Sequence, residues 1–347
     1  MERVERVLLA WPRGFCAGVE MAIKSLAWMT TLFEPPVYCF HEIVHNDLVV
    51  DRFKAAGVRF VESLDDVPPG APLMLSAHGS PPELVEAARE RGGVVVNAVC
   101  PLVKKVHHEV KVRASKGYNI VYVGHEGHQE AVGTEAVAPQ AVRRIESVEE
   151  LAALPDPDGQ VAFLAQTTLA LDEWKTIADA AKRRWPDLWM PGTSDLCFAT
   201  TNRQAALKAI SGRCDAIVVV GSRTSSNTLA LVRTAESAGC PLVLRVDDPS
   251  ELPTSLRGTV GVIAGASAPE EVVQAIVARL DPLEGSEEVR DTDEDEYFPL
   301  PRELREGLRR LGVLSAVAGL AADVTSVASV DDRAMSAASA LGRLADG

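Results

Sequence analysis

The chain has 347 residues, of which 47% are hydrophobic and 24% are charged, a balance typical of a globular protein with two or three domains. Its formal net charge of −14 argues against nucleic acid as a general partner. No stretch approaches the roughly 18 consecutive apolar residues of a membrane span, and the charged residues 1–6 do not resemble a signal peptide. We therefore expect a protein that binds no membrane. Because the six cysteines form no disulfide-like pattern, we also expect it to be cytoplasmic.

Short β-branched runs alternate with helical patterns along most of the chain, which predicts an α/β fold with small parallel sheets. The pattern recurs three times, and each repeat contains a cysteine between a strand and a helix. Two later strands of each repeat end in polar turns. The predicted strands are 7–11, 36–40 and 72–75 in the first repeat, 94–96, 119–123 and 161–164 in the second, and 216–220 and 260–263 in the third.

The cysteines and polar turns recur in phase, since about 28 residues, close to one βαβ step, separate each cysteine from the first polar turn. The polar groups therefore fall at the carboxyl ends of strands, the usual binding edge of a parallel sheet. The repeats predict three pseudo-equivalent α/β domains, at 1–99, 100–196 and 197–283, around a common centre. The cysteines are Cys16, Cys100 and Cys197, and the polar residues are His45, His78, His128, Glu130, Thr167, Ser225, Ser226, Asn227 and Ser267.

The remaining residues, 284–347, are predicted to form an acidic linker and an alanine-rich tail. Between residues 281 and 296, nine acidic residues accompany a single arginine, a pattern most simply explained by a solvated linker. The tail has a composition equally compatible with short helices and with a loosely ordered extension. We assign it no chemistry.

Three thiolates at one centre would bind zinc, hold an iron–sulfur cluster or perform thiol redox chemistry. Structural zinc sites usually contain closely paired ligands, and this chain has no Cys-x-x-Cys. Thiol exchange uses two cysteines and does not explain a third. A cubane cluster with three cysteine ligands leaves one iron open to a substrate oxygen, so the odd number favours this alternative.

The polar turns indicate the kind of substrate. Histidine, serine and asparagine side chains at strand ends and helix starts suit phosphate oxygens, although each of them singly is more often structural. Glu130 is the outstanding carboxylate beside this pocket, and a raised proton affinity there would suit a proton donor. The alternative for Glu130 is a helix cap or an ion-pair partner.

Many short motifs follow one another between Val7 and about Leu304. In order, they are Pro-Arg-Gly-Phe-Cys-Ala-Gly-Val, His-Glu-Ile-Val-His-Asn, Ser-Ala-His-Gly, Cys-Pro-Leu-Val, Gly-His-x-Gly-His-x-Glu, Gln-Thr-Thr-Leu, Cys-x-Ala-Thr-Thr-Asn-Arg-Gln, Gly-Ser-x-x-Ser-Ser-Asn and Ala-Gly-Ala-Ser-Ala-Pro. In these motifs and their order, the chain resembles the 4-hydroxy-3-methylbut-2-enyl diphosphate reductase family of the non-mevalonate isoprenoid pathway.

The resemblance implies a 4Fe–4S cluster with three cysteine ligands and a fourth iron open to the substrate's hydroxyl. The implied ligands are Cys16, Cys100 and Cys197, and the implied diphosphate-binding residues are His45, His78, His128, Ser225, Ser226, Asn227 and Ser267. Glu130 would deliver protons, and Thr167 would orient the hydroxyl or a water. The products would be isopentenyl and dimethylallyl diphosphate, and a ferredoxin or a flavodoxin would supply electrons.

A few positions depart from the family's pattern. Asn97 and Val99 stand where aspartate and threonine usually precede the second cysteine, and Ala165 and Ile263 stand where threonines are common. Changes next to a cluster ligand alter the potential or stability of a cluster without removing the ligand. Two other interpretations of the chain are a three-cysteine zinc hydrolase of a phosphorylated substrate and a diverged, non-catalytic cluster sensor.

Overall fold

The computed structural model describes residues 3–317, 333 and 335–345. Its strands form three sheets in which the neighbouring strands are parallel, which confirms the predicted α/β fold. The chain forms two compact units. The larger unit comprises the residues up to Cys16 and Leu102–Asp295, and the smaller unit comprises Ala17–Pro101 and the described residues from Glu296 onward. The domain boundaries predicted from the repeats stay a prediction.

In chain order, the strands are β1 (Val4–Trp11), β2 (Val37–Phe40), β3 (Val58–Val61), β4 (Leu73–Leu75), β5 (Val95–Asn97), β6 (Asn119–Val123), β7 (Val142–Ile145), β8 (Val161–Ala165), β9 (Ala216–Val220), β10 (Val243–Val246), β11 (Gly258–Ala264) and β12 (Ser286–Arg290). The α-helices are α1 (Ala17–Leu32), α2 (Asp47–Ala55), α3 (Pro82–Glu90), α4 (Pro101–Ser115), α5 (Gln129–Glu135), α6 (Val148–Ala153), α7 (Leu171–Arg184), α8 (Phe198–Ser211), α9 (Ser226–Ser237), α10 (Glu270–Leu280), α11 (Arg302–Val317) and α12 (Ala337–Ala345). Among the described residues, none of these helices combines the length and the apolar character that crossing a bilayer requires.

The larger unit contains two of the sheets, with strand orders β10-β9-β11-β1-β12 and β7-β6-β8. In the five-stranded sheet, Val218 and Val262 pack on one face with Val273 of α10. Ile217 and Val219 point to the opposite face, where α8 and α9 cover them. Because helices cover both faces, the central strands are apolar at nearly every position.

The smaller unit contains the third sheet, with strand order β3-β2-β4-β5. Tyr38 and Phe40 of β2 pack with Leu73 and Leu75 of β4 in its core. Asn46 begins α2, since its side-chain oxygen accepts a hydrogen bond from the backbone N–H of Val49 at 3.1 Å. His45 and His78 follow β2 and β4, which are neighbouring strands of this sheet.

The opening strand belongs to the sheet of the third repeat. Residues of β1 pair with β11 on one side, where Val7 lies opposite Val260, and with β12 on the other, where Val7 lies opposite Ser286. The Cys16 loop consequently leaves the same sheet edge as the turns that follow β9 and β11. The first repeat therefore shares its opening strand with the third, a difference from the sequence-based interpretation.

The acidic segment 281–296, expected to be a solvated linker, contributes the edge strand β12. Its acids are largely exposed, but Glu288 pairs with Arg13 at 3.0 Å and Glu287 pairs with Arg213 at 3.3 Å. Exposed charges also suit an edge strand, because they oppose pairing with another chain. The segment is thus part of the larger unit's sheet.

Part of the alanine-rich tail forms an ordered helix of the smaller unit. The side chains of Ala337, Ala340 and Leu341 in α12 are buried, and α12 lies against α1 and α2. The backbone N–H of Ala337 donates to Oε2 of Glu20 at 2.7 Å, so a carboxylate from the first turn of α1 satisfies a free donor at the start of α12. Much of the tail, 318–332, lies outside the described residues.

The packing of α12 predicts that two leucine truncations lower the free energy of unfolding by different amounts. Leu341 is 1% exposed, so Leu341→Ala should lower the free energy of unfolding by about 2–4 kcal/mol through lost burial and a residual cavity. Leu311 in α11 is 43% exposed, and Leu311→Ala should cost less than about 0.5 kcal/mol. Urea unfolding measures both, and equal costs would contradict the docked position of α12.

Candidate active site

The loop that carries Cys16 is tied to the turn after β11. The backbone N–H of Gly14 donates to the carbonyl of Ala264 at 3.3 Å, and that of Cys16 donates to the carbonyl of Ala266 at 3.2 Å. Gly14 has φ +70°, and a Cβ there would lie 3.2 Å from the carbonyl oxygen of Ala268. Glycine is therefore needed at this position for both its backbone angle and its close approach.

A buried arginine fixes the same loop from the side of α8. Nε and Nη2 of Arg203 donate to the carbonyl of Gly14 at 3.2 and 2.7 Å. Nη1 of Arg203 lies 3.0 Å from Oε1 of Glu294, and Asn202 donates to Oε2 of Glu294 at 3.1 Å. The Arg203 side chain is 1% exposed, so its charge is compensated almost entirely within the protein.

Cys197 is the N-cap of α8. Its Sγ accepts the backbone N–H of Thr200 at 3.3 Å and lies 3.0 Å from Oγ1 of Thr200, while its own N–H donates to the carbonyl of Thr167 at 3.0 Å. Burial, together with the neighbouring Cys16 and Glu130, raises the pKa of the Cys197 thiol to about 12, against the two Thr200 hydrogen bonds, which lower it. Such a thiol stays protonated at neutral pH unless a metal ion replaces its proton.

Cys100 lies in the smaller unit, between β5 and α4. Its N–H donates to the carbonyl of Ala77 at 3.0 Å, which places it beside the loop of His78. The side-chain oxygen of Asn97 accepts the N–H of Val99 at 3.1 Å. Asparagine thus supplies a local acceptor for the turn before Cys100, although aspartate is usual here in the family that the sequence resembles.

Glu130 lies in the first turn of α5 and is 2% exposed. Its Oε1 accepts the N–H of Thr167 at 2.8 Å, and its Oε2 lies 2.9 Å from Oγ1 of Thr167. Burial raises the pKa of this carboxyl to about 7, against the two Thr167 hydrogen bonds, which lower it. The group is consequently poised to hold or release a proton near neutral pH.

His128 is the N-cap of α5, and its Nδ1 accepts the N–H of Glu130 at 3.1 Å. Because a ring nitrogen that accepts a hydrogen bond carries no proton, Nε2 is the protonated nitrogen in the neutral ring. The ring therefore has one N–H donor on Nε2. The predicted proximity of His128, Glu130 and Thr167 is present within the larger unit.

The serines at the start of α9 join this network. Ser225 is the N-cap of α9, and the hydroxyl of Ser267 donates to it at 3.4 Å. Oγ of Ser226 accepts from Nε2 of Gln166 at 3.1 Å and from the hydroxyl of Thr168 at 2.9 Å. Sequence reasoning missed Gln166 and Thr168 as site residues, although they lie within the Gln-Thr-Thr-Leu motif that it noted.

Two further polar residues were missed. Asp195 is buried, its Oδ2 accepts the N–H of Ala165 at 3.0 Å, and burial raises the pKa of its carboxyl to about 7. This hydrogen bond ties the segment before Cys197 to the end of β8. Thr200 is buried next to Cys197, and only the Cys-x-Ala-Thr-Thr motif pointed to it.

In the smaller unit, the rings of His45 and His78 stack with centroids 4.2 Å apart and planes 22° apart. The hydroxyls of Ser76 and Ser80 on the His78 loop are buried and have no hydrogen-bond partner among the described residues. Buried polar atoms without partners are rare and point to a bound polar group. This loop is therefore suited to an oxygen-rich ligand.

Each unit therefore gathers its own share of the predicted site. The larger unit contains Cys16, Cys197, His128, Glu130, Thr167, Ser225, Ser226, Asn227 and Ser267, and the smaller unit contains Cys100, His45 and His78. Within the described residues, neither unit by itself gathers three histidine, cysteine or carboxylate groups suited to a metal ion. The two thiols of the larger unit nevertheless lie close enough to interact electrostatically, and soft sulfur donors of this kind fit iron–sulfur clusters.

Comparisons of the sequence and of the structure with known proteins point to one family. A family model described as LytB protein matches residues 7–281. The 4-hydroxy-3-methylbut-2-enyl diphosphate reductase of Paracoccus denitrificans (strain Pd 1222) is 46% identical over 307 residues, which cover 86% of this chain and 96% of the relative. The protein of the same name from Acidothermus cellulolyticus (strain ATCC 43068 / DSM 8971 / 11B) is 44% identical over 324 residues, 90% of this chain and 95% of the relative.

A solved structure of the E-1-hydroxy-2-methyl-but-2-enyl-4-diphosphate reductase from Plasmodium falciparum aligns with a TM-score of 0.85 and 32% identity. The alignment covers 89% of this chain and 99% of that structure. LytB proteins are iron–sulfur enzymes. The donor chemistry of the Cys16 and Cys197 loops is compatible with such a cofactor.

The raised pKa of Glu130 predicts a carboxyl that titrates near neutral pH. In difference infrared spectra, replacing Glu130 by glutamine should remove one protonated-carboxyl band at pH 6, and this band should vanish from the wild type as the pH rises through about 7. Since folding favours the protonated form, the contribution of Glu130 to stability is complete below pH 4.5 and is lost as the pH rises through about 7.

Glu149 provides the control, because it lies exposed on α6. Glu149→Gln should leave the band at pH 6 unchanged. The buried Asp195 should contribute a second band that persists in Glu130→Gln. Identical spectra for wild type and Glu130→Gln at pH 6 would show that Glu130 is ionised there.

Proposed function

Since this chain belongs to the LytB family of 4-hydroxy-3-methylbut-2-enyl diphosphate reductases, we propose that it reductively removes the hydroxyl of (E)-4-hydroxy-3-methylbut-2-enyl diphosphate. Two electrons and two protons convert this substrate to one water and either isopentenyl or dimethylallyl diphosphate. The observation that carries the proposal is the contact of the buried Glu130 with Thr167, in the unit that also holds Cys16 and Cys197.

The proposed cluster ligands are Cys16, Cys100 and Cys197. All three are half-buried, and each directly precedes a helix, where backbone N–H groups favour a thiolate. Cys39 and Cys214 are buried in the sheets' cores, where a thiol behaves as a small apolar side chain. When bound, a 4Fe–4S cluster would supply electrons and one Lewis-acidic iron that no cysteine ligates.

The proposed diphosphate ligands are hydrogen-bond donors without a permanent charge, namely His45, His78, His128, Ser225, Ser226, Asn227 and Ser267. Hydroxyl and amide groups bind phosphate oxygens without neutralising them, so the substrate keeps much of its negative charge. This charge and the thiolates both favour the protonated form of Glu130. A donor set without permanent positive charge therefore binds the anion and also favours the protonated form of Glu130.

Glu130 is the proposed proton donor, with the proton on Oε2. Oε1 accepts the N–H of Thr167, and the hydroxyl of Thr167 donates to Oε2 at 2.9 Å. When Oε2 carries the proton, the direction of this second hydrogen bond reverses, and Oγ1 of Thr167 would accept that proton. The hydroxyl proton of Thr167 is then available to the departing hydroxyl of the substrate. Glu130 and Thr167 together would transfer a proton without bringing bulk water to the reacting carbon.

An external one-electron carrier completes the proposal. The sequence contains no dinucleotide fingerprint, and the reaction consumes two electrons, so a reduced ferredoxin or flavodoxin is the proposed donor. A reduced carrier of this kind and the lack of a disulfide-like cysteine pattern support a cytoplasmic location.

The ligand assignment predicts a brown protein after anaerobic purification, with about four iron and four sulfide per chain if the cluster is a cubane. Cys197→Ser should lose most of this iron, because the alcohol is a much poorer ligand than a thiolate. Cys214→Ser, a change of equal size at a buried thiol, should keep it. Colourless wild-type protein containing zinc would contradict the proposal.

The proton-donor assignment predicts that Glu130→Gln lowers kcat for the hydroxylated diphosphate by about 10²-fold or more while iron and sulfide content stay unchanged. Glutamine keeps the acceptor for the N–H of Thr167 but cannot deliver a carboxyl proton. Anaerobic turnover with a chemical reductant measures the effect independently of any partner protein. Glu149→Gln should turn over normally, and full activity of Glu130→Gln would overturn the assignment.

A further inference from the structure

Two groups of Thr200 contact the sulfur of Cys197. The backbone N–H of Thr200 donates to Sγ at 3.3 Å, and the hydroxyl oxygen lies 3.0 Å from the same atom. Thr200 is completely buried in the first turn of α8. Its hydroxyl therefore has no water to bind and must make its hydrogen bonds to the protein.

The surrounding hydrogen bonds leave the hydroxyl proton of Thr200 available to the sulfur of Cys197. The backbone N–H of Ala266 can only donate, and it donates to the side chain of Asn227 at 2.9 Å, so the atom facing it is the amide oxygen Oδ1. The amide nitrogen of Asn227 then faces Thr200 and donates to its Oγ1 at 3.2 Å. Since Oγ1 accepts there, its own proton is free to be donated to Sγ of Cys197.

From this directional chain we propose that Thr200 is a positioning residue that donates an O–H···S hydrogen bond to Cys197 and thereby raises the reduction potential of the iron–sulfur cluster. The inference rests on the proposed role of Cys197 as a cluster ligand. Reduction adds negative charge, part of which is carried by the ligand sulfurs, and a donor aimed at a sulfur stabilises that charge. Thr200 would therefore make the cluster easier to reduce by a protein electron donor.

The chain of donors also connects the two cysteines of the larger unit. The N–H of Ala266 donates to Asn227, and the carbonyl of Ala266 accepts the N–H of Cys16 at 3.2 Å. Asn227 therefore orients Thr200 on one side and supports the Cys16 loop on the other. Because the amide nitrogen of Asn227 has two hydrogens and donates one of them to Thr200, the other is available to the proposed diphosphate.

Thr200→Val tests the proposal, because it removes the hydroxyl and retains the size and branching of the side chain. In an anaerobic redox titration of the substrate-free holoprotein, followed by electron paramagnetic resonance, Thr200→Val should shift the midpoint to a more negative value. At a fixed potential, the ratio of reduced to oxidised cluster should fall severalfold. Thr200→Ser keeps a hydroxyl in the same place and should retain the wild-type midpoint.

The adjacent threonine provides a matched control. The hydroxyl of Thr201 donates to the carbonyls of Cys197 and Phe198, at 3.4 and 3.1 Å, and not to the sulfur. Thr201→Val should leave the midpoint unchanged. Asn227→Leu should shift it in the same direction as Thr200→Val, and the double variant should show less than the sum of the two shifts.

The outcomes separate this inference from the proposed function. A fully loaded Thr200→Val with the wild-type midpoint would overturn the role of Thr200 alone, whereas a wild-type chain without iron would contradict the proposed function. If Thr200→Val does not retain its cluster, Thr200→Ala provides the midpoint with a smaller side chain. An unchanged midpoint in a loaded Thr200→Ala would likewise overturn the inference.

Discussion

The buried guanidinium of Arg203 is the interaction on which the larger unit's site depends. Leaving a buried charge without partners costs several kcal/mol, so the protein must supply acceptors wherever this side chain lies. It does so from two distant segments, the carbonyl of Gly14 and the carboxylate of Glu294. One side chain of α8 thereby joins the Cys16 loop, the helix that Cys197 caps and the acidic segment beyond β12.

Around this anchor, the polar groups of the site are held mainly by neutral hydrogen bonds. Thr167, Gln166, Ser226 and Asn227 all donate or accept within the network, and α9 begins at Ser226. Parallel strands produce this arrangement, because their carboxyl ends and the following helix starts share one edge. Buried hydrogen-bonded side chains of this kind are rigid, which suits groups that must meet a substrate in one orientation. The raised pKa of Glu130 arises from the same exclusion of water.

Strands could be predicted from the sequence where both faces of the strand are buried, because such strands are continuously apolar. All eight strands expected from β-branched runs are present, and the helices predicted after Cys16, Cys100 and Cys197 are α1, α4 and α8. Four strands, β3, β7, β10 and β12, were not predicted. Their partners lie on one side only, their side chains are partly exposed, and no apolar run marks them.

For the candidate site, the sequence predicts residues but not the hydrogen bonds between them. Cysteine spacing and polar turns identified Glu130, Thr167 and the serines of α9, since strand ends gather polar groups. The roles of Thr200, Gln166 and Asp195 depend on distances between segments far apart in sequence, and their residue types are common in helices and turns. The acidic segment was misjudged for the same reason, because charge composition alone does not show that Glu294 meets a buried arginine.

The position of β1 has a consequence for the order in which the protein is made. Its strand neighbours β11 and β12 are encoded near the other end of the folded region, as are the carbonyls of Ala264 and Ala266 that receive the Cys16 loop. More than two hundred residues must be synthesised after Cys16 before the carbonyls that accept hydrogen bonds from its loop are present. The loop of Cys16, a proposed cluster ligand, is therefore complete only when translation is nearly finished.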